Sequence, residues 1–252
     1  MKEIVEMKRM MCAVLAAGLL AVSCGMSKSA VEKNVKKSFQ ETMAVDKNYG
    51  RLRLTVDSVQ LVKVADYLYE GQVNVRVFGQ PYRIAVMVSA DGDAVQWEAS
   101  GEALSVLDKA HIVETGDMRF QLTREGEGFE LIKYTGEGNG AVNIPREIGG
   151  VPVIRIWNGA FTDSGIQSVT IPASVTEIGA AFSSCTSLAS ITIPDSVTVI
   201  KSGAFYGCTS LVSITIPDSV TQIEESAFHD CTSLASITIP QSVTSIGMFA
   251  FS

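Results

Sequence analysis

Three cysteines recur at a fixed spacing, and they are the first candidates for chemistry in this sequence. Cys185, Cys208 and Cys231 each follow the previous one after 23 residues. Stacked repeats would bring their thiols within disulfide distance, and thiolates also bind metals. However, side chains at one repeat position point the same way, three thiols cannot all pair, and no histidine accompanies them at ligand spacing. We therefore predict a buried column of free thiols and no metal site.

Combinations of catalytic residues are scarce. The two histidines, His111 and His229, lie in different parts of the chain. Neither belongs to a recognisable Ser-His-Asp set, and the sequence has no glycine-rich phosphate loop. Asp195 and Asp218 follow prolines and are expected to cap turns. We predict a non-enzymatic protein that uses no cofactor.

Hydroxyl side chains form a second regular pattern. Four Ser-x-Thr triplets recur at strand spacing, so their side chains should form two columns on one strand face. Such a face is a candidate contact surface for a protein or glycan; alternatively, the hydroxyls only keep the strand face soluble. The candidate binding residues are Ser168, Thr170, Ser190, Thr192, Ser213, Thr215, Ser236 and Thr238.

A repeat in the twenties of residues must position these side chains. Five units align on an Ile-Pro pair followed by an Ala-Phe pair. The first interval between the phenylalanines is 21 residues and the later ones are 23, a period typical of leucine-rich-repeat solenoids. The Ile-Pro pairs end at Pro145, Pro172, Pro194, Pro217 and Pro240, and the Ala-Phe pairs end at Phe161, Phe182, Phe205, Phe228 and Phe251.

Each repeat is predicted to form one coil with a short strand. Ile191 and Ile193 alternate with Ser190 and Thr192, which is strand spacing, and Pro194 ends the strand because it cannot donate to the ladder. One coil buries too little apolar surface to offset the entropy of ordering its chain. The coils are therefore expected to stack, with parallel strands between neighbours.

These repeats resemble those of a known family. The pattern Leu-x-x-Ile-x-Ile-Pro-x-x-Val-x-x-Ile, followed by Ala-Phe-x-x-Cys-x-x-Leu, resembles the leucine-rich repeat of BspA-like surface proteins, also called the Treponema pallidum type. The resemblance is strong over residues 165–251 and looser over 129–161, which is similar to the family's entry repeat. It implies a bacterial cell-surface protein, and several members serve adhesion to host matrix proteins or to other bacteria.

Residues 31–115 predict a separate α+β unit of one helix and about four antiparallel strands. Alternation from Leu52 predicts a half-buried strand with a bulge or turn at Asp57–Ser58, and Asp91–Gly92 indicates a hairpin. Residues 101–114 are expected to form a second short helix. The arrangement resembles cystatin-like or NTF2-like shapes in architecture alone. The first helix is predicted from the apolar stripe Val31, Val35, Phe39 and Met43.

The first 23 residues resemble an export signal. Lys8 and Arg9 precede an apolar run that is too short to span a bilayer. Leu20-Ala21-Val22-Ser23-Cys24 resembles a bacterial lipobox, although the leucine lies one position early. The resemblance implies a lipid on Cys24, followed by a tether over residues 24–30. The alternative is an ordinary secretory signal cleaved nearby, which would leave Cys24 as a free thiol.

Charge and composition limit the partners. The chain has a net charge of −7, and residues 165–252 hold one basic residue, Lys201, against six acidic ones. Nucleic-acid binding is therefore not expected. We predict a protein that is lipid-anchored to the outer membrane, exposed at the cell surface, and binds a protein or glycan through the solenoid, which spans 116–252. The alternative is an envelope scaffold in which the α+β unit binds.

The last repeat is unusual. The sequence stops at Phe251–Ser252 in the middle of a coil, and Met248 and Phe249 stand where earlier coils have mostly small or polar residues. A solenoid needs covered ends. This pattern favours a sequence that stops short, or an end that frays, over an end covered by another chain through self-association.

Overall fold

A computed structural model of the protein describes residues 20–21, 27–46, 49–65, 68–91, 94–137 and 140–252. The chain divides into two compact units between His111 and Ile112. This division lies four residues before the boundary predicted from the sequence, because Ile112–Thr115 pairs with Met118–Leu122 in the second unit. Cys24 lies outside the described residues, as do Gly92 of the predicted hairpin and all of the predicted signal except Leu20–Ala21.

The first unit is a helix packed on an antiparallel sheet, as predicted. The sheet has the strand order β1-β5-β4-β3-β2. A register shift between Val56 and Ser58 places the predicted bulge in β2. The likeness to cystatin-like or NTF2-like shapes stays a prediction. The elements are β1 (Leu20–Ala21), α1 (Lys28–Val45), a 3-10 turn (Gly50–Leu52), β2 (Thr55–Ala65), β3 (Leu68–Val77), β4 (Gln80–Asp91), β5 (Ala94–Glu98) and α2 (Gly101–Asp108).

Helix α1 buries the predicted apolar stripe. The Ser27 hydroxyl caps the helix by accepting a hydrogen bond from Ala30 N–H at 3.3 Å. The Phe39 ring lies 4.7 Å from the ring of Trp97, and Trp97 Nε1 donates to the Ser38 hydroxyl at 3.2 Å. The four positions Val31, Val35, Phe39 and Met43 are all buried. These contacts fix the helix on one face of the sheet.

A polar column beside that stripe covers the edge of the sheet. Leu61 N–H donates to Glu32 Oε1 at 3.0 Å, and Lys36 Nζ donates to Asp57 O at 2.7 Å. Gln40 accepts from Val56 N–H at 2.8 Å. Strand β2 is an edge strand, and unpaired edge groups invite pairing with other chains. Side chains four residues apart on α1 therefore occupy part of the edge.

The second predicted helix is shorter than expected. Helix α2 ends at Asp108, whereas residues up to 114 were expected to be helical. The correction has a physical cause: β6 (Ile112–Thr115) turns back at Gly116, which has a φ of 57°, and pairs with β7 (Met118–Leu122). Alternating burial in β6, with Val113 buried between exposed neighbours, suits a strand.

The second unit is a solenoid with two parallel sheets, as predicted. One sheet runs β6-β7-β8-β11-β13-β15-β17-β18, with β10 beside β11, and its first three strands are antiparallel hairpins. The other sheet runs β9-β12-β14-β16. The strands after β7 are β8 (Phe129–Tyr134), β9 (Ala141–Asn143), β10 (Glu147–Ile148), β11 (Val151–Ile156), β12 (Ser168–Thr170), β13 (Glu177–Ile178), β14 (Ser190–Thr192), β15 (Val199–Ile200), β16 (Ser213–Thr215), β17 (Gln222–Ile223) and β18 (Ser245–Ile246).

The core between the two sheets is a ladder of aromatic rings. The repeated phenylalanines stack with centroid distances of 5.1–5.5 Å. Tyr134 of the entry repeat lies 5.3 Å from Phe161 and extends the ladder by one ring. The rings of Phe161, Phe182, Phe205 and Phe228 are almost entirely buried, so the ladder couples each coil to the next.

The repeated cysteines form the predicted column of buried free thiols. Each thiol donates to the carbonyl of the phenylalanine one coil earlier, at 3.1 Å in every case. Cys185 reaches Phe161 O, and Cys208 reaches Phe182 O. The thiols therefore act as hydrogen-bond donors between coils.

Candidate contact surface

The strands of the four-stranded sheet carry the predicted hydroxyl columns. Ser190 aligns with Ser213, and Thr192 aligns with Thr215. The residue between each pair is buried, as Ile191 is, which turns the hydroxyls outward. Strand β12 adds Ser168 and Thr170 to the columns. The structure therefore brings six of the eight predicted hydroxyls into one surface, which we call the strand face: Ser168, Thr170, Ser190, Thr192, Ser213 and Thr215.

The last predicted pair does not join this surface. Ser236 and Thr238 are exposed, but their segment forms no strand. Ile237 is half-buried, whereas its equivalent Ile214 is buried. Among the described residues, no coil stacks on the far side of this segment, so its apolar residues gain less by forming a strand. The prediction of four aligned triplets was therefore wrong for the fourth.

Hydrogen bonding distinguishes the strand face from the other hydroxyls of the repeat. The Ser-Val-Thr sequence after each proline is consumed by the fold: Ser219 Oγ donates to Val197 O at 2.7 Å, and Thr221 Oγ1 donates to Thr198 O at 3.3 Å. By contrast, the six strand-face hydroxyls have no hydrogen-bond partner within the part of the chain that the structure describes. They are free to bond water or a ligand. The sequence alone gave no sign of this difference.

Two carboxylates lie at the edge of the strand face. Asp195 and Asp218 are exposed, and neither forms an ion pair with any described residue. The face is small: four strands about 4.8 Å apart, with three residues each, present about 200 Å². A stable protein interface buries about 800 Å² on each partner. The strand face alone therefore suits weak contacts.

The histidines do not assemble a catalytic site. His111 is half-buried at the end of the first unit. His229 stacks on Tyr206 at 5.2 Å, and its Nδ1 lies 3.1 Å from Asp230 Oδ2 without hydrogen-bond geometry. Among the described residues, no group of histidine, cysteine or acidic side chains could hold a metal. The described helices include none that is long and apolar enough to cross a membrane.

Comparison with known proteins identifies the repeats. A family model described as BspA type leucine rich repeat region matches residues 154–252 with six copies. A leucine-rich-repeat protein of Treponema pallidum is 33% identical, with 56% of this chain and 55% of that chain covered and a TM-score of 0.38. A leucine-rich-repeat protein of Bacteroides ovatus is 29% identical, with 55% and 38% covered and a TM-score of 0.49.

A third solved structure, titled a leucine rich cell surface protein, comes from Faecalibacterium prausnitzii. It is 30% identical, with 56% of this chain and 52% of that chain covered and a TM-score of 0.34. The chain thus spans about half or less of the length of these solved proteins. No curated protein matches the chain significantly.

Proposed function

Residues 154–252 are a BspA-type leucine-rich-repeat region, and from that premise we propose that the protein is a non-catalytic contact protein of the cell envelope. It binds a protein or glycan partner, such as a host matrix protein, through the solenoid. The observation that carries the proposal is the strand face: its six hydroxyls lack partners among the described residues, whereas the Ser-Val-Thr hydroxyls are satisfied by the fold. Small side chains also let a partner approach the sheet closely.

Binding by this face works through number. A single hydrogen bond contributes about 0.5–1.5 kcal/mol net, and the face is too small for tight binding. Many copies on one membrane multiply weak contacts into strong attachment. Self-association through the last coil, where Met248 and Phe249 are exposed, would link further faces and is part of the proposal.

Lysine substitutions on the strand face test the contact role. We expect Thr192→Lys with Thr215→Lys to weaken binding to immobilised collagen, laminin and fibronectin at least tenfold, because two long cations would then cover aligned positions of the face. Binding of the mature protein is measured by surface plasmon resonance. The matched control is Thr186→Lys with Thr209→Lys, which adds the same charges at exposed turn positions also 23 residues apart. If the strand-face variant binds as well as the control, the hydroxyl columns are not the contact surface.

The second candidate is an envelope scaffold in which the first unit binds. The outer face of its sheet supports this role, since it is exposed and polar along neighbouring strands. Gln60 aligns with Gln72, and Gln72 aligns with Ala85, all on the side away from the buried residues. Unchanged partner binding after the strand-face substitutions would favour this candidate.

The proposed anchor is a lipid on Cys24 in the outer membrane, with the rest of the protein exposed at the cell surface. One acyl chain binds a membrane only marginally, and stable anchoring needs more than one chain, which a lipoprotein cysteine carries. We expect Cys24→Ser to abolish labelling of the protein by radioactive palmitate and to shift it from the membrane fraction to the soluble fraction. Retention of label in this variant would contradict the anchor.

A further inference from the structure

The irregular coil of the solenoid carries features that the regular coils lack. The interval from Phe161 to Phe182 is 21 residues, where later intervals are 23. Trp157 lies at this coil, just past the end of β11. Trp157 N–H donates to Leu131 O at 2.9 Å, and Gly179 N–H donates to Ile156 O at 2.9 Å. These bonds place Trp157 between the strands that continue to Ile132 on one side and to Gly179 on the other.

The Trp157 side chain is exposed although it belongs to a well-packed sheet. It is 47% exposed, and its indole makes no ring contact or hydrogen bond with any described residue. The next strand offers no side chain beside the indole, because its residue there is Gly179. A Cβ at Gly179 would lie 2.1 Å from Asn158 Oδ1, which accepts a hydrogen bond from Ala180 N–H at 2.9 Å. A fixed amide therefore borders the indole on that side.

A fixed charged group borders the same indole along the strand. Arg155 and Trp157 flank the buried Ile156, so both point away from the core. Arg155 bridges two strands: its Nη1 donates to Glu130, and its Nε donates to Glu177 Oε2 at 2.9 Å. Its Nη2 has no partner among the described residues. The guanidinium is therefore held in place with donors to spare.

We propose that Trp157, Arg155, Glu177 and Asn158 form a binding site for a neutral sugar ring of a glycan. The C–H face of a sugar packs against an exposed indole, and sugar hydroxyls pair with fixed planar donors and acceptors at its rim. One guanidinium against two carboxylates leaves the site with a net negative charge, which disfavours anionic ligands such as nucleotides. An apolar side chain of a protein would leave the polar rim unpaired. The neutral glycan fits both observations.

This site lies on the other sheet of the solenoid, away from the strand face. The inference rests on the proposed contact function in that it names a ligand class for the solenoid, but the two surfaces fail independently. The strand-face lysine variant should keep sugar binding, and Trp157 variants should keep binding to matrix proteins.

The experiment titrates the mature protein with soluble oligosaccharides of glucose, galactose, mannose and N-acetylglucosamine, followed by calorimetry and tryptophan fluorescence. We expect at least one series to bind saturably and to shift the emission. Trp157→Ala should weaken that binding at least tenfold, and Trp157→Phe should remove the shift, since the other tryptophan, Trp97, is buried in the first unit. Tyr206→Ala is the matched control, because Tyr206 is also an exposed aromatic residue of the solenoid.

Two results would overturn the proposal. One is that none of the four series binds at millimolar concentration. The other is that Trp157→Ala binds as tightly as the Tyr206→Ala control while both variants keep the circular dichroism spectrum of the parent protein. Both side chains are exposed, so neither substitution should prevent folding.

Discussion

Replacement of Phe205 by alanine is expected to lower the free energy of unfolding of the solenoid by about 3–5 kcal/mol. Its ring is almost fully buried and lies between Phe182, at 5.5 Å, and Phe228, at 5.3 Å. Alanine removes both ring contacts and leaves a cavity in a layer where every coil supplies one ring. The loss should be measured by urea denaturation followed by circular dichroism.

The control for this variant is Val212→Ala in the same coil. Val212 is 61% exposed, and neighbouring coils already carry alanine at this position, as Ala189 and Ala235. Its substitution should therefore change stability by no more than about 0.5 kcal/mol. A Phe205→Ala variant as stable as Val212→Ala would mean that the aromatic ladder does not couple the coils.

The solenoid was predictable because its pattern is local and repeated. Ile191 and Pro194 mark the strand and its end, and Phe205 marks the core, from spacing alone. Tyr134 was missed as the first rung of the ladder because no Ala-Phe pair surrounds it. Its role follows only from the pairing of β8 with β11, which places it one coil before Phe161.

The fourth Ser-x-Thr triplet shows where local pattern stops deciding structure. Residues 185–194 and 231–240 have the same ten-residue sequence, CTSLASITIP. In the first copy Ile191 is buried in β14, paired on both sides. In the second copy Ile237 is half-buried and no strand forms. The sequence is identical, so the difference comes from the neighbouring coils that bury each copy.

The candidate surfaces were predictable only in part, for a similar reason. Spacing placed Thr192 and Thr215 in one column, but it did not separate them from Thr221, whose hydroxyl is consumed by a carbonyl of the preceding coil. Likewise, Trp157 and Gly179 lie 22 residues apart in the sequence, and only the strand register brings them side by side. Register between strands is a tertiary property.

The thiol column should make the solenoid lose stability at alkaline pH. Burial raises the pKa of the Cys231 thiol to about 11 and raises the pKa of the Cys208 thiol still more. An unfolded thiol ionises near pH 8.5. The native state therefore holds these protons more tightly than the unfolded state. This contribution to stability is complete below about pH 8.5 and is lost as the pH rises toward the folded pKa values.

Cys208→Ser separates this effect from other alkaline titrations, because a serine hydroxyl does not ionise in this range and still donates a hydrogen bond. For each shielded thiol, the parent protein should lose about 2 kcal/mol between pH 8.5 and pH 10. The serine variant should lose correspondingly less over the same interval, whatever its stability at pH 7. Urea denaturation at both pH values measures the two losses. Equal losses in parent and variant would mean that water reaches the Cys208 thiol and that the coils do not seal their core.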